Sequence, residues 1–274
     1  MGDLMSWLLR ILAVAIVAVS VAIYGKLLVR IGRGQGKAVW QPLGFPDLLV
    51  AMVLMIWLGG MALNGFTHPA VDKVITTKVI IANATLFGTL VGGIVFFLSG
   101  RNISINLLFG FTKVRFGRLL AIAFGLLLAA FPLTTLCTNI MARLLGDEAK
   151  SQEILDFFVD SAQHAHWLTV AGTALAATVA APMMEEFLFR GYIYTVLRRF
   201  LGIGPAMLLS ALLFGAIHVN ATAFPALCVL AVCLSIAYET TGSLAVPMTM
   251  HAAFNLVNLG INLVVTLWPS ATRL

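Results

Sequence analysis

The stretch Trp167–Tyr194, WLTVAGTALAATVAAPMMEEFLFRGYIY, decides how this chain is read. It is apolar on both sides of two adjacent carboxylates, Glu185 and Glu186. A carboxylate at bilayer depth costs roughly 2.5–3.5 kcal/mol on insertion scales, so residues kept there are functional by default. The chain has 11 acidic residues, and the other nine are expected at the termini or between apolar runs. Arg190 follows the pair, and later apolar runs are broken by His218 and by His251 with Asn255. Together these residues read as a polar site built inside a membrane.

The rest of the chain fits that reading. It is 61% hydrophobic and only 10% charged over 274 residues, with a mean hydropathy of +1.01. Such a composition excludes a soluble domain and predicts an all-α, polytopic membrane protein. The apolar runs give about eight spans: Leu8–Gly25, Leu48–Phe66, Val79–Ser99, Leu119–Thr138, Trp167–Arg199, Pro205–Asn220, Phe224–Tyr238 and Ser243–Trp268. The fifth is too long for one straight crossing and is expected to bend near Pro182. Arg10 and the apolar run after it imitate a signal peptide. No small-residue cleavage site follows, however, and Lys26, Arg30, Arg33 and Lys37 stop transfer, so a retained first span is expected.

Basic residues set the orientation. Lys26 to Lys37, Arg101, Lys113, Arg115, Arg118, Arg198 and Arg199 fall in alternate connections, against Lys73, Lys78, Arg143 and Lys150 in the others. The positive-inside rule places the first set in the cytosol and both termini outside. In a membrane chain the net charge of +6 reports this orientation, so no nucleic-acid partner is expected. Asp147 to Ala165 is the one long polar connection, and Ile154, Leu155, Phe157 and Phe158 suit a short helix at the membrane surface. Cys137, Cys228 and Cys233 are odd in number and lie in apolar runs, which argues against disulfides and structural zinc. His68, His164 and His166 fall in outer connections and read as surface residues.

Depth brings the interruptions together. At 1.5 Å per residue, Glu185 lies about 21 Å from Arg199 and His218 about 20 Å from Pro205. Counted from Ser243, His251 and Asn255 lie about 12 and 18 Å in. Glu186 and Arg190 stand at i,i+4 in the order that favours an ion pair. That pairing leaves Glu185 without a local partner, as a general base requires. His251 and Asn255, also at i,i+4, could donate two hydrogen bonds to one point, as an oxyanion hole does. Singly, each of these is as readily a helix–helix polar contact or a core histidine.

In order and type, Glu185-Glu186-Phe-Leu-Phe-Arg190, Phe214 to His218 and His251 to Asn255 match E-E-x-x-x-R, F-x-x-x-H and H-x-x-x-N. These three motifs resemble the CAAX prenyl endopeptidase and bacteriocin-processing (CPBP, ABI) family of intramembrane proteases, which includes the type II CAAX endopeptidases. The resemblance covers roughly Trp167 to Trp268. It implies a catalytic membrane core over 161–274, with N-terminal transmembrane helices and a surface connection over 1–160. It further implies a multi-pass cell-membrane endopeptidase acting on a peptide or lipidated protein. Glu185 would activate water and His218 would hold it. His251 and Asn255 would stabilise the oxyanion, with Glu186, Arg190 and Phe214 in support.

No cofactor is expected. Zinc held by Glu185, His218 and His251, with Asn255 as a further candidate ligand, is the alternative, although no H-E-x-x-H is present. No G-x-S-x-G and no paired intramembrane aspartates support another protease type. The competing readings are a catalytically silent scaffold or immunity-type protein, and a proton-coupled transporter. The latter predicts paired half-sequences that are not seen.

Overall fold

In the computed structural model, residues 2–68, 76–146, 149 and 153–267 are described. Lys73, Asp147, Lys150 and Trp268 lie outside them. The described chain is helical: α1 (Gly2–Arg30), α2 (Phe45–Thr67), α3 (Thr77–Gly100), α4 (Ile105–Phe109), α5 (Phe116–Leu145), α6 (Glu153–Gln163), α7 (Trp167–Leu175), α8 (Ala181–Glu186), α9 (Thr195–Leu201), α10 (Ile203–Ala216), α11 (Phe224–Thr241) and α12 (Ala245–Leu267). Wider π turns join α7 to α8 (Ala176–Ala180) and α8 to α9 (Phe187–Tyr194), so Trp167–Leu201 is one continuous, irregular span.

Among the described residues seven helices are long and apolar enough to cross a membrane, and α10 is a shorter apolar helix. This is the expected polytopic bundle, with one difference. The sixth span was expected to run to Asn220, but α10 ends at Ala216 and His218 sits in the turn that follows. Its 14 residues rise about 21 Å, short of a hydrocarbon core of about 30 Å. The tip of the α10–α11 hairpin therefore ends within the membrane thickness, and His218 is carried there.

The α11 helix is the most buried of the spans and packs between α5 and α10, with α12 alongside. Helix α1 lies on the outside against α5, tied by Tyr24, whose hydroxyl donates to the Leu126 carbonyl at 2.7 Å. Helix α6 forms with Phe158 and Ala162 buried, and these pack with Val170 and Leu259 in a small satellite core. His68, His164 and His166 are exposed, as expected.

The connections that carry most of the basic residues gather at one end of the bundle. Lys37 N donates to Glu239 O at 2.7 Å, and Leu244 N to Phe109 O at 2.8 Å. Arg198 donates to Ala38 O at 2.6 Å and Arg199 to Gln41 O at 2.8 Å. Two further acids are buried here, which corrects the expectation that only Glu185 and Glu186 leave water. Asp47 pairs with Arg101 and caps the Gly44 amide, while Glu239 meets Arg198 at 2.8 Å and the Tyr194 hydroxyl at 2.6 Å. Asp47 opens an apolar run and Glu239 closes one, and each is buried against a cation distant in sequence.

These junctions are glycine-tight. Gly110 has φ +63°, and a Cβ there would collide with the Gly242 carbonyl. Gly110→Ala should therefore lower the thermal midpoint in detergent by several degrees, since a left-handed residue strained by a Cβ typically loses about 1 kcal/mol or more. Gly117→Ala, which meets open space within α5, should leave the midpoint unchanged or raise it.

Candidate active site

The local fold of the Glu-bearing segment starts from Pro182. A proline ring inside a helix clashes with the carbonyl four residues back and offers no N–H. The chain answers with the π turn Ala176–Ala180, in which the Ala181 amide donates to Ala176 O. The expected bend near Pro182 is thus a local widening, with Ala180 and Ala181 keeping helical torsions. The π turn Phe187–Tyr194 follows, all eight of its residues buried. The Thr195 hydroxyl donates to the Arg190 carbonyl at 2.8 Å. Such π turns recur at functional sites.

Within this frame Glu186 and Arg190 are both fully buried and form the expected ion pair, Nη1 to Oε1 at 2.8 Å. The same Glu186 oxygen is 2.9 Å from His251 Nδ1, a link between residues far apart in sequence that no motif announces. A carboxylate can only accept, so the Nδ1 proton faces Glu186 and Nε2 points the other way. There it lies 3.9 Å from Glu185 Oε2, beyond a direct hydrogen bond. The Glu185 side chain keeps 17% of its surface exposed, whereas that of Glu186 keeps none.

Phe214 is the floor on which these groups rest. Its ring is fully buried, with the Arg190 guanidinium 4.3 Å from its centroid. The His218 ring lies 5.0 Å away and the His251 ring 5.7 Å away. Among the described residues Arg190 Nε and Nη2 have no hydrogen-bond partner, and the ring face is the contact this cation makes there. The Phe214 carbonyl accepts from His218 Nδ1 at 2.7 Å. That fixes the tautomer and leaves Nε2 of His218 as a lone-pair acceptor.

Asn255 departs from expectation. It was read as pointing with His251 at one spot, but its Nδ2 donates to Ala177 O at 2.8 Å. One of its two amide hydrogens is therefore committed to the π turn before Pro182. Among the described residues no three His, Cys, Asp or Glu side chains come together as a metal site.

The fold is that of a polytopic membrane protein in which Glu186 joins Arg190 and His251, the rings of His218 and His251 both lie against Phe214, and Asn255 binds the Ala177 carbonyl. Residues 167–257, a third of the chain, match the family described as type II CAAX prenyl endopeptidase Rce1-like. That segment holds all three motifs, so the resemblance read from them stands. No curated protein and no solved structure matches the chain.

Removing either member of the inner pair leaves a desolvated charge, which typically costs about 3–5 kcal/mol. Glu186→Ala and Arg190→Ala should each lower the thermal midpoint in detergent by about 5–15 °C. Normal midpoints in both would show that the pair does not support the fold.

Proposed function

We propose that the protein is an intramembrane endopeptidase that hydrolyses a peptide bond in a membrane-associated substrate, a CAAX-type prenylated protein or a peptide precursor. The observation that carries this reading is the division of labour between the two glutamates. Glu186 is consumed by Arg190 and His251, while Glu185 is partly exposed and faces an imidazole across a gap too long for a direct bond. A water in that gap meets a carboxylate able to take its proton, and the His218 lone pair offers a second acceptor. The motif match over residues 167–257 supports the same chemistry.

The reaction balances with these groups. Glu185 takes a proton as water attacks the scissile carbonyl. A doubly protonated His251 would donate from Nε2 toward the oxyanion with its own proton, separate from the one on Glu185. The uncommitted hydrogen of the Asn255 amide is the second donor. The proton on Glu185 then passes to the leaving amine nitrogen as the C–N bond breaks. Glu186 and Arg190 hold His251 and the helix, and Phe214 fixes the His218 tautomer. No metal is required for these steps.

The test is cleavage of a prenylated CAAX peptide and of a peptide library by purified protein in nanodiscs, with and without chelator. Glu185→Gln should lower kcat by at least about 10²–10⁴-fold with an unchanged thermal midpoint, and chelation should leave the wild-type rate intact. A Glu185→Gln protein that cleaves at the normal rate removes the base assignment. Loss of activity on chelation, restored by zinc, removes the metal-free mechanism.

A further inference from the structure

The carbonyl of Ala177 has an unusual history. In an α-helix its donor would be the Ala181 amide, but that N–H is given to Ala176 O in the π turn. In a continuing π turn its donor would be residue 182, which is proline and has none. Both backbone routes are closed. A carbonyl left so at membrane depth must find a donor elsewhere, because lipid supplies none. The donor it finds is Asn255 Nδ2 at 2.8 Å, on α12.

We propose that Asn255 is a positioning residue: its amide fills the acceptor that Pro182 leaves open, and this bond holds the Glu185-bearing turn in register with α12. The acceptor lies two turns before Glu185, and the donor lies one turn beyond His251. The bond therefore spans the two elements that must keep Glu185 Oε2 and His251 Nε2 at 3.9 Å. Closing the π turn to α would rotate the chain before Pro182 against Glu185 by about 100°, one residue of helix. The turn stays open because proline forbids the tighter form, and it stays docked because Asn255 occupies its carbonyl. The same bond orients the amide, setting which hydrogen is left for substrate. Pro182, which touches no reacting atom, acts through this arrangement.

The pairing predicts a coupling that an oxyanion role alone does not. Pro182→Ala returns an N–H to position 182 and removes the ring clash, so Ala177 O regains a backbone donor and Asn255 loses its purpose there. Four proteins are compared: wild type, Asn255→Ala, Pro182→Ala and the double variant. Asn255→Ala should lower the thermal midpoint by about 2–4 °C in the wild-type background, the loss expected for one hydrogen bond in a chain this size. In the Pro182→Ala background the loss should fall to half or less. Pro182→Ala alone should be as stable as wild type or more so.

The kinetic arm rests on the proposed peptidase reading. There Pro182→Ala should reduce kcat by about 10–100-fold with KM within about twofold, so a protein no less stable is slower. Asn255→Leu, which keeps the volume and has no hydrogen to donate, should resemble Asn255→Ala in midpoint. Equal midpoint losses for Asn255→Ala in both backgrounds would overturn the proposal, as would a Pro182→Ala enzyme with wild-type kcat. Should the wild type cleave no peptide, the peptidase reading fails, and the midpoint cycle alone decides this one.

Discussion

One buried oxygen organises the centre of this protein. Glu186 Oε1 accepts from Arg190 at 2.8 Å and from His251 at 2.9 Å with no surface exposed to solvent. In a medium of low dielectric neither the carboxylate nor the guanidinium survives alone, and each makes the other tolerable. The imidazole is held by the same atom, so its orientation follows from the requirement to bury charge in pairs. Glu185, the next residue along a helix, points about 100° away and escapes that arrangement. Two chemically identical side chains thus acquire different surroundings from geometry alone.

The shape of the span serves the same end. Pro182 and the π turns on either side of α8 make Trp167–Leu201 irregular where the carboxylates sit. The short α10 brings His218 to the tip of a hairpin that ends inside the membrane thickness. Phe214, one turn earlier, offers its face to Arg190 and both imidazoles, and its carbonyl to His218. At the far end, the basic connections are sewn together through Asp47, Arg101, Arg198 and Glu239. Close backbone approaches at Gly110 and Gly242 pack this junction tightly.

Much of this was legible in the sequence because the signals were local or compositional. Hydropathy gave the bundle, and the i,i+4 spacing of Glu186 and Arg190 gave their pairing. Three short motifs gave the resemblance that the match over residues 167–257 bears out. The reading failed where partners are distant. Asp47 and Glu239 border apolar runs and look solvated in sequence, yet Arg101 and Arg198 reach them from other segments. Asn255 looked like a free donor because its acceptor, Ala177 O, is an ordinary backbone atom that becomes available only through the Pro182 distortion. The bond from His251 to Glu186 crosses from the last helix to α8, and no periodicity reports it. His218 was placed on a helix that in fact ends two residues earlier, a difference set by the hairpin turn.

The central claim is that Glu185 acts as a base on water and does not itself attack the peptide carbonyl. The most direct measurement is a single-turnover cleavage in ¹⁸O-water, followed by mass spectrometry of both the released fragment and the protein. One labelled oxygen is expected in the new carboxyl group of the fragment and none in the Glu185 side chain. An unlabelled fragment with label on Glu185 would contradict it, because the oxygen would then have come from the enzyme.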